Sequence, residues 1–249
     1  PSYAFMEQVE ELAEKIPLVI ISNRERVKVD AINQDNTKIG SVMARHLLDL
    51  GHRKVAFIAP PLTKRQQQRS RRVQGFVKEY EKEGLADAVV IKAADDIWDE
   101  VLPSVDSEYR IGYNLTKELL QEETQVTAIA GLNDMIAFGI IDALQEEKLK
   151  VPSDVSVIGC DNIIFSRMSH MSLTTIEHFV PLKGRDACDI IMRKIESSHS
   201  AYSETEPTSI YHIEYEPRLI VRKTTGYAKQ TSLGKQTSSK RRNLKSFNK

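Results

Sequence analysis

The sequence is poor in the features that mark several large function classes. Two cysteines, Cys160 and Cys188, are too few for a disulfide framework and fit a reducing compartment. No apolar run is long enough to cross a bilayer, so no membrane partner is expected. Neither GxGxxG nor GxxxxGK[ST] occurs, so the two common glycine-rich phosphate cradles are excluded, and so is the GxSxG nucleophile elbow. The six histidines are scattered without ligand spacing to cysteine or glutamate, so no metal site and no cofactor are expected. The chain opens at Pro1 without a basic flank, an apolar segment or a small-residue cleavage site, so nothing reads as a signal peptide.

The net charge of zero conceals an asymmetry. Residues 226–249 hold seven lysines and arginines and no acid, whereas residues 1–225 hold 28 basic and 35 acidic side chains. An acidic body repels a phosphate backbone, so the body is a poor nucleic-acid binder by itself. The basic tail, rich in Lys, Ser, Gln and Asn, reads as disordered.

Apolar runs alternate with helical patterns along the body. Strands are expected at 17–21, 54–59, 88–91, 126–130, 155–158 and 173–176, with 210–215 and 218–222 at the end. Helices are expected around Phe5–Leu12, then over 36–50, around Val73–Tyr80, and over 107–121, 133–147 and 182–197. Asp35 or Asn36 caps the second of these, and Gly51 closes it. Strands that are apolar throughout are buried on both faces, and helices between them imply parallel β-α-β units in an α/β fold. In open sheets of this kind ligands bind beyond the carboxyl ends of the strands, which directs attention to the loops after Ile21, Ala59, Ile91, Ala130 and Ile158.

Polar residues stand at those ends. Asn133-Asp134 follows one strand and Asp161-Asn162 another. A helix cap by itself accounts for Asn133 and a turn for Asp161, but their shared position raises a ligand role for both. Within the segment 64–72, which includes Gln68, Arg65, Arg69 and Arg72 share a helical face. Arg72 stands nearest the strand ends, where its planar fork of donors suits a pair of ligand oxygens. Cys160 also ends a strand, but a small packing residue explains it better than a nucleophile.

Four segments together resemble the effector-binding domain of the lac repressor (LacI/GalR) family of bacterial transcription regulators. They are Ile39-Gly40 through Leu50-Gly-His-Arg-Lys-Val-Ala-Phe-Ile58, Arg72-Val-Gln-Gly-Phe76, Asn133-Asp-Met-Ile-Ala-Phe-Gly139, and Val151-Pro-Ser-Asp-Val-Ser-Val-Ile-Gly-Cys-Asp-Asn162 with Leu173-Thr-Thr-Ile176. The ending Glu216–Thr225 also resembles the family's last strand, so the likeness spans about residues 8–225.

The resemblance implies a two-lobed, periplasmic-binding-protein-like domain with parallel sheets flanked by helices. Residues 1–32 and 179–216 would form an incomplete N-terminal subdomain, 33–178 and 217–225 the C-terminal one, and 226–249 a disordered tail. It implies a cytoplasmic homodimer, joined through the apolar segment 163–172, that reaches operator DNA through a helix-turn-helix lying before residue 1. A small polar effector would sit between the lobes, against Arg72, Asn133 and Asp161, with Gln68, Ser22 and His178 beside them. Ser22 falls where many members have Asp and His178 where many have Gln. These departures point away from a standard sugar, and the Arg65/Arg69/Arg72 face points toward an anionic ligand such as a phosphosugar. A periplasmic solute-binding protein is the alternative of another class. An α/β enzyme is a third, but no nucleophile–base pair can be assembled for it.

Overall fold

The computed structural model describes residues 3–21, 28–62, 67–95, 105–122, 125–198 and 209–229. The expectations for Ser22, Arg65 and the basic tail beyond Lys229 therefore lie outside the described residues.

Two parallel sheets organise the chain. The first has the order β1-β2-β8, from β1 (Val19–Ile21), β2 (Asp30–Gln34) and β8 (His212–Tyr215). The second has the order β4-β3-β5-β6, from β3 (Val55–Ala59), β4 (Val89–Ala93), β5 (Ala128–Gly131) and β6 (Ser156–Ile158). Every pairing within both is parallel. Helices α1 (Tyr3–Ala13), α2 (Asn36–Asp49), α3 (Gln67–Lys82), α4 (Val105–Gln121), α5 (Asp134–Glu146) and α6 (Val180–Ser198) connect or flank the strands. Among the described residues no helix is long and apolar enough to cross a membrane.

The second sheet holds the main core. All five residues of β3 and all four of β5 are buried, as uniformly apolar central strands require. Phe57 meets Phe76 edge to face with ring centroids 5.0 Å apart, Phe76 stacks on Tyr80 at 5.3 Å, and the Tyr80 hydroxyl donates to the His52 carbonyl. Truncating Phe76 to alanine would cost about 3–5 kcal/mol.

Strand β2 was not expected from the sequence. Asp30-Ala-Ile-Asn-Gln34 carries polar residues at three of five positions, so neither a period of two nor an apolar run marks it. Tertiary partners satisfy Asp30 and Gln34 instead, whereas Asn33 Oδ1 is buried without a hydrogen-bond partner among the described residues. Asp30, almost fully buried, pairs with Lys194 at 2.7 Å and accepts from the Tyr211 backbone N–H at 2.8 Å. β2 also gives β1 a hydrogen-bonded neighbour, which the sequence alone left unassigned.

A short antiparallel pair, β7 (Thr175–Glu177) and β9 (Arg218–Ile220), joins the segments that run between the sheets. β7 also lies parallel to the extension of β6, through bridges Ile158–Thr174 and Asp161–Glu177.

Candidate ligand-binding site

Four helix–strand junctions converge on one polar cluster. Asn133 follows β5 and caps α5, accepting from the Ile136 backbone N–H at 2.9 Å. Its amide nitrogen remains free to work elsewhere and donates to Glu108 at 2.6 Å. The cap and the site role are thus combined in one side chain. Glu108, in the first turn of α4, also pairs with Arg69 at 3.3 Å.

Arg72 is buried in α3. Its Nε and Nη2 both donate to Asn36 Oδ1, at 3.1 and 2.7 Å, and Nη1 donates to the carbonyl of Leu132, the residue before Asn133. Asn36 in turn donates to Gln68 at 3.4 Å. Asp35 is the cap of α2, accepting from Thr37 and Lys38, which leaves the Asn36 side chain for this network. Gln68, Asn36, Arg72, the Leu132–Asn133 corner, Glu108 and Arg69 thus form a continuous polar chain.

Close helix contact fixes Arg72. A Cβ on Gly40 would lie 1.9 Å from the Arg72 carbonyl, and one on Gly75 would lie 1.9 Å from the Thr37 carbonyl. The two glycines let α2 and α3 touch backbone to backbone.

Asp161 follows β6 with φ of 127°, a left-handed conformation that a side chain rarely adopts and that costs about 1–3 kcal/mol. Its backbone N–H donates to the Ile176 carbonyl at 2.9 Å. That bond brings His178 beside Asp161, although 17 positions separate them. Burial pushes the Asp161 carboxyl up to about 7, against the opposing pull of Arg72, with Asp134 and Glu108 adding to the rise. Burial likewise lowers His178 to about 3, helped by the positive charges of Arg72 and Lys183, so the ring is neutral at ordinary pH. The Cys160 thiol is fully buried and pushed well up by burial, the reverse of an activated nucleophile.

The sulfur of Cys160, a carboxylate oxygen of Asp161 and a ring nitrogen of His178 all lie within 4.8 Å of one another. The sequence suggested no such grouping, because strand pairing rather than chain spacing creates it. The donor types suit a metal, but the buried cation Arg72 acts on all three groups and Lys183 also acts on the histidine. Positive charge on this side opposes a further cation.

Sequence reasoning missed Asn36, Glu108, Gln34 and Lys183. Lys183 is buried, donates to Gln34 Oε1 at 2.6 Å and lies over the Tyr215 ring at 5.8 Å. A signal for it existed: a lysine in the first turn of a helix opposes the helix dipole and calls for another reason to be there. Of the expected arginine face, Arg65 lies outside the described residues, whereas Arg69 and Arg72 both stand on α3 and Arg69 pairs with Glu108. Of the six candidate residues, Arg72, Asn133, Asp161, His178 and Gln68 are brought into one neighbourhood, and Ser22 lies outside the described residues.

Residues 44–225 match the model of the periplasmic binding protein-like domain. The chain belongs to this family. Within it the similarity is to the effector-binding domain of the lac repressor (LacI/GalR) type. The HTH-type transcriptional repressor PurR of Haemophilus influenzae is 30% identical over 211 residues, which cover 84% of this chain and 57% of that repressor. The chain thus spans little more than half the length of the curated relatives it matches. A LacI family transcriptional regulator from Enterococcus faecalis, solved with bound ribose, superposes with a TM-score of 0.71 at 25% identity, over 92% of this chain and 76% of that one. The dimeric lac repressor superposes with a TM-score of 0.72 at 22% identity, over 90% of this chain and 74% of that one.

Proposed function

We propose that this chain is the effector-sensing part of a LacI-type transcription regulator of the bacterial cytoplasm. It binds a small polar ligand, such as a sugar or phosphosugar, between two lobes. One lobe is built on the β1-β2-β8 sheet, from residues 1–32 and 179–216. The other is built on the β4-β3-β5-β6 sheet, from 33–178 and 217–225, with β2 carrying the first boundary on to Gln34.

The observation that carries the reading is the polar chain from Gln68 through Arg72 to Asn133, at strand carboxyl ends and electrostatically coupled to Asp161 and His178. Such a lining offers donors, acceptors and a neutral imidazole to hydroxyl or heteroatom groups. Among the described residues the cysteine at this site, Cys160, is fully buried with its thiol pushed well up, the reverse of an activated nucleophile, which favours sensing over turnover. The repressor names of the relatives favour regulation over solute transport.

Ligand would control DNA binding only through unequal affinity for two arrangements of the lobes. The DNA reader would be a helix-turn-helix outside this chain, and two copies would pair through residues 163–172. A thermal-shift screen with sugars, phosphosugars and nucleobases would find the ligand class. In calorimetry Arg72→Ala and Asp161→Ala should each weaken its binding by ~10-fold or more. Wild-type affinity in both variants would refute the cleft assignment.

A further inference from the structure

Lys183 and Arg72 are two buried cations whose hydrogen bonds, among the described residues, reach only neutral acceptors. The Lys183 ammonium has three donors, and among the described residues one is used, on the amide oxygen of Gln34. Arg72 donates to an asparagine oxygen and a backbone carbonyl. Neither forms an ion pair with any carboxylate among the described residues. By contrast, Lys194 meets a counter-charge, the buried Asp30.

The two cations come from different parts of the fold. Arg72 lies on α3, above the second sheet, and Lys183 opens α6, tied to the end of β2 in the first sheet. Gln34, which holds Lys183, also donates its amide nitrogen to the Glu177 carbonyl at 3.2 Å, and the next residue, His178, lies within 4.8 Å of Asp161, on which Arg72 acts, so the two cations border the same space. Lys183 is held there at a cost. It is desolvated, it opposes its own helix dipole, and the left-handed turn at Phe179, with φ of 52°, aims the helix start. Asp161 acts on both cations, but burial raises its carboxyl to about 7, so near neutrality it offsets only part of their charge, and a charged ligand in the cleft would complete it.

We infer that the cleft recognises a ligand carrying an anionic oxygen group, a carboxylate or a phosphate, and that Lys183 is the residue that selects for it. This inference rests on the proposed cleft site and narrows it. Arg69 is not the source of the selectivity, because Glu108 already neutralises that guanidinium. The ammonium is a compact point charge with two donors to spare, and it suits one terminal oxyanion. Asn133, Asp161 and neutral His178 would take the hydroxyl or ring groups of the remainder. Because the anion would be gripped from the first sheet through Lys183 and from the second through Arg72, its binding would draw the two together.

Matched pairs of probes test this on the full chain by calorimetry. Glucose is paired with glucuronate and with glucose 6-phosphate, galactose with galacturonate, ribose with ribose 5-phosphate, and inorganic phosphate is added alone. The expected result is that an acid or a phosphate binds at least ~10-fold more tightly than its neutral partner. The sugar-acid and sugar-phosphate arms tell the two anion sources apart. Lys183→Met should abolish that preference, and Lys183→Arg should restore most of it. Circular dichroism melts of each variant separate loss of binding from loss of fold. Should Lys183→Met unfold, a salt titration of wild-type affinity gives the same answer, since a charge-selected ligand weakens as salt rises.

A neutral sugar that binds best and needs Asp161 would overturn the inference and leave the cleft reading standing. An anion preference that survives in Lys183→Met would overturn the role of Lys183. Binding that survives both Asp161→Ala and Arg72→Ala would refute the cleft reading itself. Silence across the whole panel would count against both.

Discussion

Asp134 and Thr175, 41 positions apart in the chain, share a 2.5 Å hydrogen bond in the core beneath the proposed site. The second oxygen of Asp134 accepts from the Ile163 backbone N–H at 3.0 Å. Burial raises the carboxyl above its ordinary range, and these two donors together with Ser166 oppose that rise. One fully buried side chain therefore ties the start of α5 to β7 and to the loop after Asp161. Asp134→Ala leaves two donors unpaired and should cost about 2–4 kcal/mol, measured by urea unfolding. A loss under ~1 kcal/mol would show that the bonds are replaced by water.

The helix crossing that fixes Arg72 gives a second expectation. Gly75→Ala puts a methyl group against the Thr37 carbonyl with 1.9 Å of room, between two backbones that cannot yield separately. Stability should fall by about 1–3 kcal/mol or more, and ligand affinity should fall with it because α3 moves away from α2. Thermal melts and calorimetry on the same variant check both. Unchanged affinity in a folded Gly75→Ala variant would mean that Arg72 is positioned by its hydrogen bonds alone.

Asp161 and His178 make opposite contributions to stability against pH. Asp161, raised to about 7 from 3.8, contributes stability that is present below about pH 4 and lost as pH rises to 7. His178, lowered to about 3 from 6.5, contributes stability that is present above 6.5 and lost as pH falls to 3. Each displacement corresponds to roughly 4 kcal/mol when fully expressed, so between pH 4 and 6.5 the two slopes largely cancel. Asp161→Asn should then gain stability as pH rises from 3 to 6.5, and His178→Gln should lose it from 4 to 7. Melting temperatures across that range decide the matter, and parallel profiles for the two variants would contradict the assignment.

The same carboxyl links ligand to protons. Arg72, Asp134, Glu108, Cys160, His178 and Lys183 surround it electrostatically. An anion seated near Arg72 and Lys183 raises its pKa further, so an acidic probe bound at pH 7 should take up a fraction of a proton. Calorimetry in buffers of different ionisation enthalpy measures that uptake, and Asp161→Asn should remove it.

Ile164 and Phe165 stand well exposed on the short 3-10 turn at 164–167, with Met168 after them. If two copies pair there, Phe165→Glu should convert a dimer to a folded monomer in sedimentation. A wild-type chain that is monomeric at high micromolar concentration would rule out that surface as a strong interface.

Local patterns determined much of this protein. The uniformly apolar strands β3 and β5 dictated burial on both faces and hence parallel pairing. Capping and amphipathic spacing set α2, α4 and α5 to within a few residues, and short motifs pointed to Arg72, Asn133 and Asp161. What the sequence could not carry was anything decided by long-range pairing. β2 is a strand because Lys194 and Tyr211 satisfy Asp30 from 164 and 181 positions away. His178 reaches Asp161 because the 161 N–H finds the 176 carbonyl. Lys183 becomes a buried cation only when Gln34 and Tyr215 close over it. Periodicity reports which face of an element is apolar, whereas the partners of a buried polar group are chosen by the packing of elements far apart in the chain, and in this protein those partners make the site.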